Sequence, residues 1–289
     1  MLMRYHYLPL LFLVFFTASC KLFNPEELTP SYLYISDIKL ETKTLEGSNS
    51  DNILDAWVYV NGSYIGTWEL PAKIPIHVIG KYDLEIFGGI KKSGLSAFRV
   101  TNDFMSSFDS TLNSVSNVVD TIVPTLKYVD NLNIWLEEFE DPGVKFTKQP
   151  FSDTVIRITN DPQLVFEGNG TGVISFSSTD MYFLAKTNEP DFNSFPKQGA
   201  PIYYEFNYKS DEILTVGIYH NNISSTSIKT EFFNLFPTDG KWKKIYLDLR
   251  EVVSPQSFAT EFDVYLEVKK NKSSQPLVYI DNIKVIFKK

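Results

Sequence analysis

The 289-residue chain has a single cysteine, Cys20, three histidines, and no unbroken apolar run after Cys20 that approaches the roughly 20 residues of a membrane-spanning helix. One cysteine forms no disulfide within a chain, so the fold stands on its core alone. Only His77 and His220 follow Cys20; they are far apart and lack a cysteine or second histidine at metal-ligand spacing. Catalytic signatures are also missing: there is no Gly-x-Ser-x-Gly elbow, phosphate-binding glycine loop or dinucleotide fingerprint. A net charge of −8 argues against nucleic acid as a partner, because phosphate binding needs a clustered basic surface. Long helical periodicity is absent too, which leaves strands as the main building material.

What is present begins with an export layout over residues 1–19: Arg4, then the apolar run Leu8 to Phe16, then the small residues Thr17, Ala18 and Ser19. Thr17-Ala18-Ser19-Cys20 resembles a bacterial lipobox, with Thr17 where leucine is usual. The resemblance implies cleavage before Cys20, lipid on that residue, and a membrane partner reached through the anchor. Residues 20–30, with Pro25, Glu26, Glu27 and Pro30, suit an extended tether. Lys21 stands where an aspartate would favour inner-membrane retention in enterobacteria, so the expected location is the outer membrane, with the periplasmic and cell-surface faces both open.

Behind the tether, apolar alternation and turn residues predict an all-β protein: two β-sandwich domains in tandem, over 31–130 and 134–289, the second a jelly roll. In the first, strands are expected at Tyr32 to Leu40, Ala56 to Val60, Tyr64 to Leu70, Ile74 to Val78 and Tyr82 to Phe87. Asn61-Gly62 between two alternating runs predicts a two-residue type I′ hairpin. Its simplest register pairs Tyr59 with Tyr64, Val58 with Ile65 and Trp57 with Gly66, gathering Trp57, Tyr59, Tyr64 and Trp68 on one face. A face that apolar is expected to be an interface, covered by its own domain or a neighbour. Residues Trp57 to Gly94 resemble the small surface modules called PEGA domains. The order of segments from the lipobox to Phe139-Glu140-Asp141 resembles surface lipoproteins of the Bacteroidota. Asp109-Ser110-Thr111, Asp120-Thr121-Ile122 and Asp153-Thr154-Val155 resemble the O-glycosylation triplet of that phylum. The Ser/Thr/Asn-rich stretch 101–133 is expected to end the first domain and connect it to the second.

In the second domain, strands are expected at Thr154 to Ile158, Gly172 to Phe176, Ile202 to Tyr208, Leu214 to His220, Trp242 to Leu249, Phe262 to Val268 and Val278 to Phe287. Glu138-Phe139-Glu140, the stretch Gly240 to Leu249 and Tyr279-Ile280-Asp281-Asn282-Ile283 together resemble galactose-binding-like jelly rolls, the fold of many carbohydrate-binding modules. That resemblance implies a structural calcium on Glu138 or Glu140 with Asp281, an ion that accepts several oxygen ligands in loose geometry. Alternation buries Leu214, Val216, Ile218, Ile245, Leu247, Leu249, Val264, Leu266 and Val268, and turns Tyr219, Tyr246 and Tyr265 outward. Tyrosine offers a sugar both a flat apolar ring and a hydroxyl, and it is equally a good strand residue. Two roles follow. The first is a glycan binder using Tyr219, Tyr246 and Tyr265. The second is a structural or accessory lipoprotein docked on an outer-membrane protein complex through its aromatic faces.

Overall fold

The computed structural model describes residues 29–188, 192, 195–221, 224, 226–271 and 275–289. Cys20, the export segment and most of the tether lie outside the described residues. The described residues are nearly all β, with one short helical turn.

The N-terminal strands are β1 (Ser31–Ile35), β2 (Lys39–Glu41), β3 (Asp55–Val60), β4 (Ser63–Glu69), β5 (Ala72–Ile76), β6 (Gly80–Lys91), β7 (Arg99–Thr101), β8 (Phe108–Ser114), β9 (Val119–Ile122) and β10 (Thr125–Lys127). One sheet runs β4-β3-β6-β7, with β8 also paired to β6; a second runs β5-β1-β9, and β2 pairs with β10. The run Tyr32 to Leu40 is therefore two strands, broken at Ser36-Asp37-Ile38. The expected connector supplies β8 to β10, and β9 and β10 lie parallel to β1 and β2. A parallel partner joins distant parts of the chain, which local alternation does not announce.

The hairpin turns at Asn61 and Gly62, both at positive φ (49° and 74°) as a type I′ turn requires. Tyr59 pairs with Tyr64, but the register then shifts by one, so Val58 pairs with Gly66 and Ala56 with Trp68. Ile65 is the extra residue of a β-bulge, and Gly66 at φ +153° accommodates it. A one-residue slip moves every later side chain to the other face. Trp68 consequently packs against the N-terminal core with Ala56 and Val58, and its indole occupies the space a Cβ on Gly66 would take.

The C-terminal strands are β11 (Leu132–Glu137), β12 (Phe146–Lys148), β13 (Ile156–Thr159), β14 (Thr171–Ser175), β15 (Tyr182–Thr187), β16 (Ile202–Ser210), β17 (Leu214–Asn221), β18 (Ser227–Leu235), β19 (Lys243–Asp248), β20 (Phe262–Lys269) and β21 (Leu277–Lys288), with the turn α1 (Arg250–Val253). They build two antiparallel sheets, β13-β14-β21-β16-β19 with β11 also on β21, and β12-β15-β20-β17-β18. The alternating positions foreseen from sequence, among them Val216, Leu247 and Leu266, are fully buried in one core between the sheets.

The outer face of the first of these sheets is covered by the N-terminal strands. Tyr203, Tyr246 and Ile286 belong to the same apolar cluster as Leu33, Ile86 and Leu126. A polar seam runs through that contact. Tyr128 Oη donates to Glu205 Oε1 at 3.0 Å, Lys244 Nζ lies 3.2 Å from the same oxygen, and Lys284 Nζ donates to the Ser48 carbonyl at 2.7 Å. Toward its margin, Arg250 and the Tyr203 phenol both meet Asp103, at 2.5 and 3.1 Å.

Candidate functional site

Covering one sheet leaves the outer face of the other, β12-β15-β20-β17-β18, as the open broad surface of the sandwich. Cross-strand pairing places Tyr219 beside Asp263 and Lys229, and Tyr265 beside Lys186 and Gly217. Tyr219 and Tyr265 meet edge-on, with ring centroids 5.6 Å apart. Tyr265 is 0 % exposed and lies flat over Gly217, where a Cβ would come within 2.6 Å of its ring. Glycine at 217 is thus a space requirement: it lets one ring form a floor. Tyr219 is half-buried above that floor.

Charged groups frame the rings. Lys186 Nζ sits 5.5 Å from the Tyr219 centroid and Lys229 Nζ sits 5.1 Å from that of Tyr265, both inside the range of a cation–π contact. Lys186 pairs with Asp263 at 2.6 Å. Glu267 accepts from the Tyr182 phenol at 3.1 Å and pairs with Lys229 and Lys269. Burial alone would raise the Glu267 carboxyl; Lys229, with Tyr182 and Lys269, outweighs it and holds the group below its ordinary value. Burial pushes the Tyr219 phenol up, helped by Glu267 and Asp263, so it remains a hydrogen-bond donor. The result is one half-buried tyrosine ring, Tyr219, standing edge-on to a buried one and ringed by fixed donors and acceptors.

Of the three tyrosines picked from sequence, two share this face and one does not. Tyr246 is on the covered sheet, 2 % exposed, its hydroxyl accepting the Asn52 amide at 2.9 Å. It is a contact between the N-terminal strands and the sandwich, with no surface for a ligand. Tyr265 shares the face yet shows no surface either, and acts from beneath. Sequence reasoning missed Tyr182, Lys186 and Lys229 because β15 and β18 carry little alternation. In β18 only Leu235 is buried, with Thr230, Phe232 and Phe233 half-buried and the other five residues exposed, as an edge strand facing solvent permits.

The hairpin aromatics divide as the bulge dictates. Trp57, Tyr59 and Tyr64 stay on the outer face with Phe87, with Tyr59 at 5.2 Å from Tyr64 and 5.7 Å from Phe87. Trp68 goes to the core side. Among the described residues Trp57, Tyr59 and Phe87 are half-buried, and Tyr64 is left 51 % exposed.

The three carboxylates expected to hold calcium each have protein partners. Glu138 accepts the Ser48 amide; Glu140 accepts the Asn169 and Gly170 amides at 2.8 and 3.2 Å; Asp281 accepts the Thr171 hydroxyl at 2.5 Å and the Asn282 amide at 2.8 Å. Each is occupied in pinning a turn or strand end, and among the described residues no group of three acidic, histidine or cysteine side chains is placed to share an ion.

No protein-family model matches the chain, and no curated protein matches it. Among solved structures it is similar to the CBM22-2 xylan-binding domain from Paenibacillus barcinonensis, at 16 % identity over 54 % of this chain and 99 % of that one, with a TM-score of 0.39. The CBM22-1 xylan-binding domain from the same organism matches at 11 % identity over 54 % and 96 %, with a TM-score of 0.40. A family 30 carbohydrate-binding module of a Clostridium thermocellum cellulosomal cellulase matches at 15 % identity over 53 % and 90 %, with a TM-score of 0.35. At such TM-scores no ligand is inferred from the likeness, and the site is read from this chain's own geometry.

Proposed function

We propose that the chain is a lipid-anchored outer-membrane protein that binds a glycan across the open face of its C-terminal sandwich. One observation carries the reading: the sheet left uncovered by the N-terminal strands is the one that presents Tyr219 over a Tyr265 floor, framed by Tyr182, Lys186, Lys229, Asp263 and Glu267. Tyr219 offers its ring to the CH face of a sugar, and the ion-paired side chains offer donors and acceptors to the hydroxyls. An open sheet suits an extended chain, which lies along it instead of entering a pocket. The anchor is proposed at Cys20, and it holds the sandwich close to the membrane surface.

A glycan array with the chain from Lys21 onward tests the binding reading. A saccharide hit that Tyr219→Ala abolishes, at an unchanged melting temperature, supports it; hits that survive Tyr219→Ala, Lys186→Ala and Lys229→Ala place the ligand elsewhere. Cell fractionation tests the anchor, with Cys20→Ser expected in the soluble fraction and retention after a carbonate wash counting against lipid at that residue.

The partly exposed cluster of Trp57, Tyr59, Tyr64 and Phe87 favours a second reading, docking on a protein of the outer membrane, since aromatic side chains are enriched in such interfaces. Crosslinking in the membrane would detect that partner, and Tyr64→Ala would reduce its yield.

A further inference from the structure

A cleft of about 630 Å³ opens where the edge strands β18 and β19 of the two sandwich sheets approach the N-terminal segments 50–52 and 91–95. That size falls in the range of roughly 300–1,000 Å³ typical of small-ligand sites. It is a separate place from the tyrosine face and is formed by both halves of the chain.

Its walls combine three kinds of group. Trp242 and Phe166 both line it, their ring centroids 5.1 Å apart, and Phe236 stands 69 % exposed at the rim. Phe236 and the partly exposed Trp242 together give the cleft an apolar surface on which a flat ligand face can lie. Polar neighbours are amides and hydroxyls, including Asn52, Asn207 and Asn234. Asn207 accepts the Ser50 hydroxyl at 3.0 Å.

The charges in the cleft run against the rest of the protein. Lys91 and Lys243 line it, and neither is in an ion pair among the described residues. Behind Trp242, Lys209 Nζ lies 5.3 Å from the indole centroid. The remaining charged wall groups are already engaged. Lys244 pairs with Glu205, and Asp51 takes the Leu40 and Ile53 amides at 3.1 and 3.2 Å. In a chain of net charge −8, unpaired cations beside an aromatic wall and an amide rim mark a place for an anion that also has a flat apolar face and hydroxyls. A hexuronate residue has all three features.

We propose that this cleft is a second binding site, specific for an acidic saccharide residue stacked on Trp242 with its carboxylate toward Lys91 and Lys243. The proposal is independent of the tyrosine face and survives if that face binds nothing.

Isothermal titration of the full chain with trigalacturonate, with cellotriose as the neutral control, tests it. Trigalacturonate is expected to bind and cellotriose to bind at least about tenfold more weakly, a difference of about 1.4 kcal/mol. The double change Lys91→Ala and Lys243→Ala is expected to weaken trigalacturonate about tenfold and to flatten the dependence of affinity on salt, because it removes the screened part of the attraction. Trp242→Ala should weaken binding to a similar degree. Phe236→Ala, at an exposed position, repeats the stacking test without risk to the fold, and Tyr219→Ala should change nothing. Absence of trigalacturonate binding, equal affinity for cellotriose, or loss on Tyr219→Ala with retention in the lysine and Phe236 variants would each overturn the proposal.

Discussion

The phenol of Tyr128, from the N-terminal half, donates to Glu205 Oε1 at 3.0 Å on the covered face of the sandwich, with both residues buried. Burial, together with the Glu205 charge, raises that phenol well above its ordinary value, so it stays a donor throughout the stable range. The same carboxylate faces Lys244, while Lys284 reaches Tyr128 at 3.4 Å and Ser48 at 2.7 Å. A buried network of this kind is weak evidence for stability as a whole, yet removing one member is costly because its partners stay desolvated.

Tyr128→Phe keeps the ring and removes the donor. The expected loss is about 1–3 kcal/mol in urea unfolding, the cost of leaving a buried acceptor short of a partner. The transition should move as a single step, since the seam belongs to both halves. An unchanged midpoint would show that Glu205 is satisfied by Lys244 alone.

The hairpin shows how far sequence carries. Asn61-Gly62 announces its turn through the positive φ that both positions need, and the first two residue pairs follow from turn length. The bulge at Ile65 leaves no such signal, because alternation is equally consistent with both registers until packing chooses one. Its consequence is measurable. Trp68→Ala should cost about 2 kcal/mol through lost core contact, whereas Tyr64→Ala, on the exposed face, should stay within about 0.5 kcal/mol. Equal effects on thermal unfolding would return Trp68 to the outer face.

The same division holds at the candidate site. Alternation correctly sorted inward from outward positions in β17, β19 and β20, since a period of two is a property of the strand itself. It is silent on which sheet meets the N-terminal strands, so Tyr246 and Tyr219 look alike in sequence and differ entirely in exposure. Tyr182, Lys186 and Lys229 gain their meaning only from side-chain contacts with Asp263 and Glu267, more than thirty residues away in sequence.

Gly217 offers a way to separate floor from platform. In Gly217→Ala the new Cβ would collide with the Thr230 carbonyl and come within 2.6 Å of the Tyr265 ring, so the variant should lose stability and lift that ring. Tyr265→Ala should cost about 3 kcal/mol as a large buried side chain, and Tyr219→Ala far less. A Tyr265→Ala variant with wild-type melting would mean that the ring is not packed as a floor.

Two buried charges set opposite slopes of stability against pH. The Asp281 carboxyl is pushed up from 3.8 to about 7, chiefly by burial, with the Thr171 hydroxyl and the Asn282 and Glu167 amides pulling the other way. Its folded form holds a proton that the unfolded chain has released, so its contribution is full below about 4 and is lost as pH rises through about 7. Lys284 is lowered from 10.5 to about 8, again chiefly by burial, against the attraction of Glu205. Its folded form gives up a proton that the unfolded chain keeps, so its contribution is present above about 10.5 and lost as pH falls through about 8. Both groups therefore weigh against the fold near pH 7–8. Relative to the native chain, Asp281→Asn should lose part of the fall in melting temperature between pH 4 and 7, and Lys284→Met part of the rise between pH 8 and 10.5. Lys284→Met also leaves the Ser48 carbonyl without its donor, a cost that offsets part of the gain from removing the buried charge near neutral pH. Melting curves of native and Asp281→Asn proteins that stay parallel from pH 4 to 8 would show that Asp281 is ionised in the fold, and its burial would then need a partner other than Thr171.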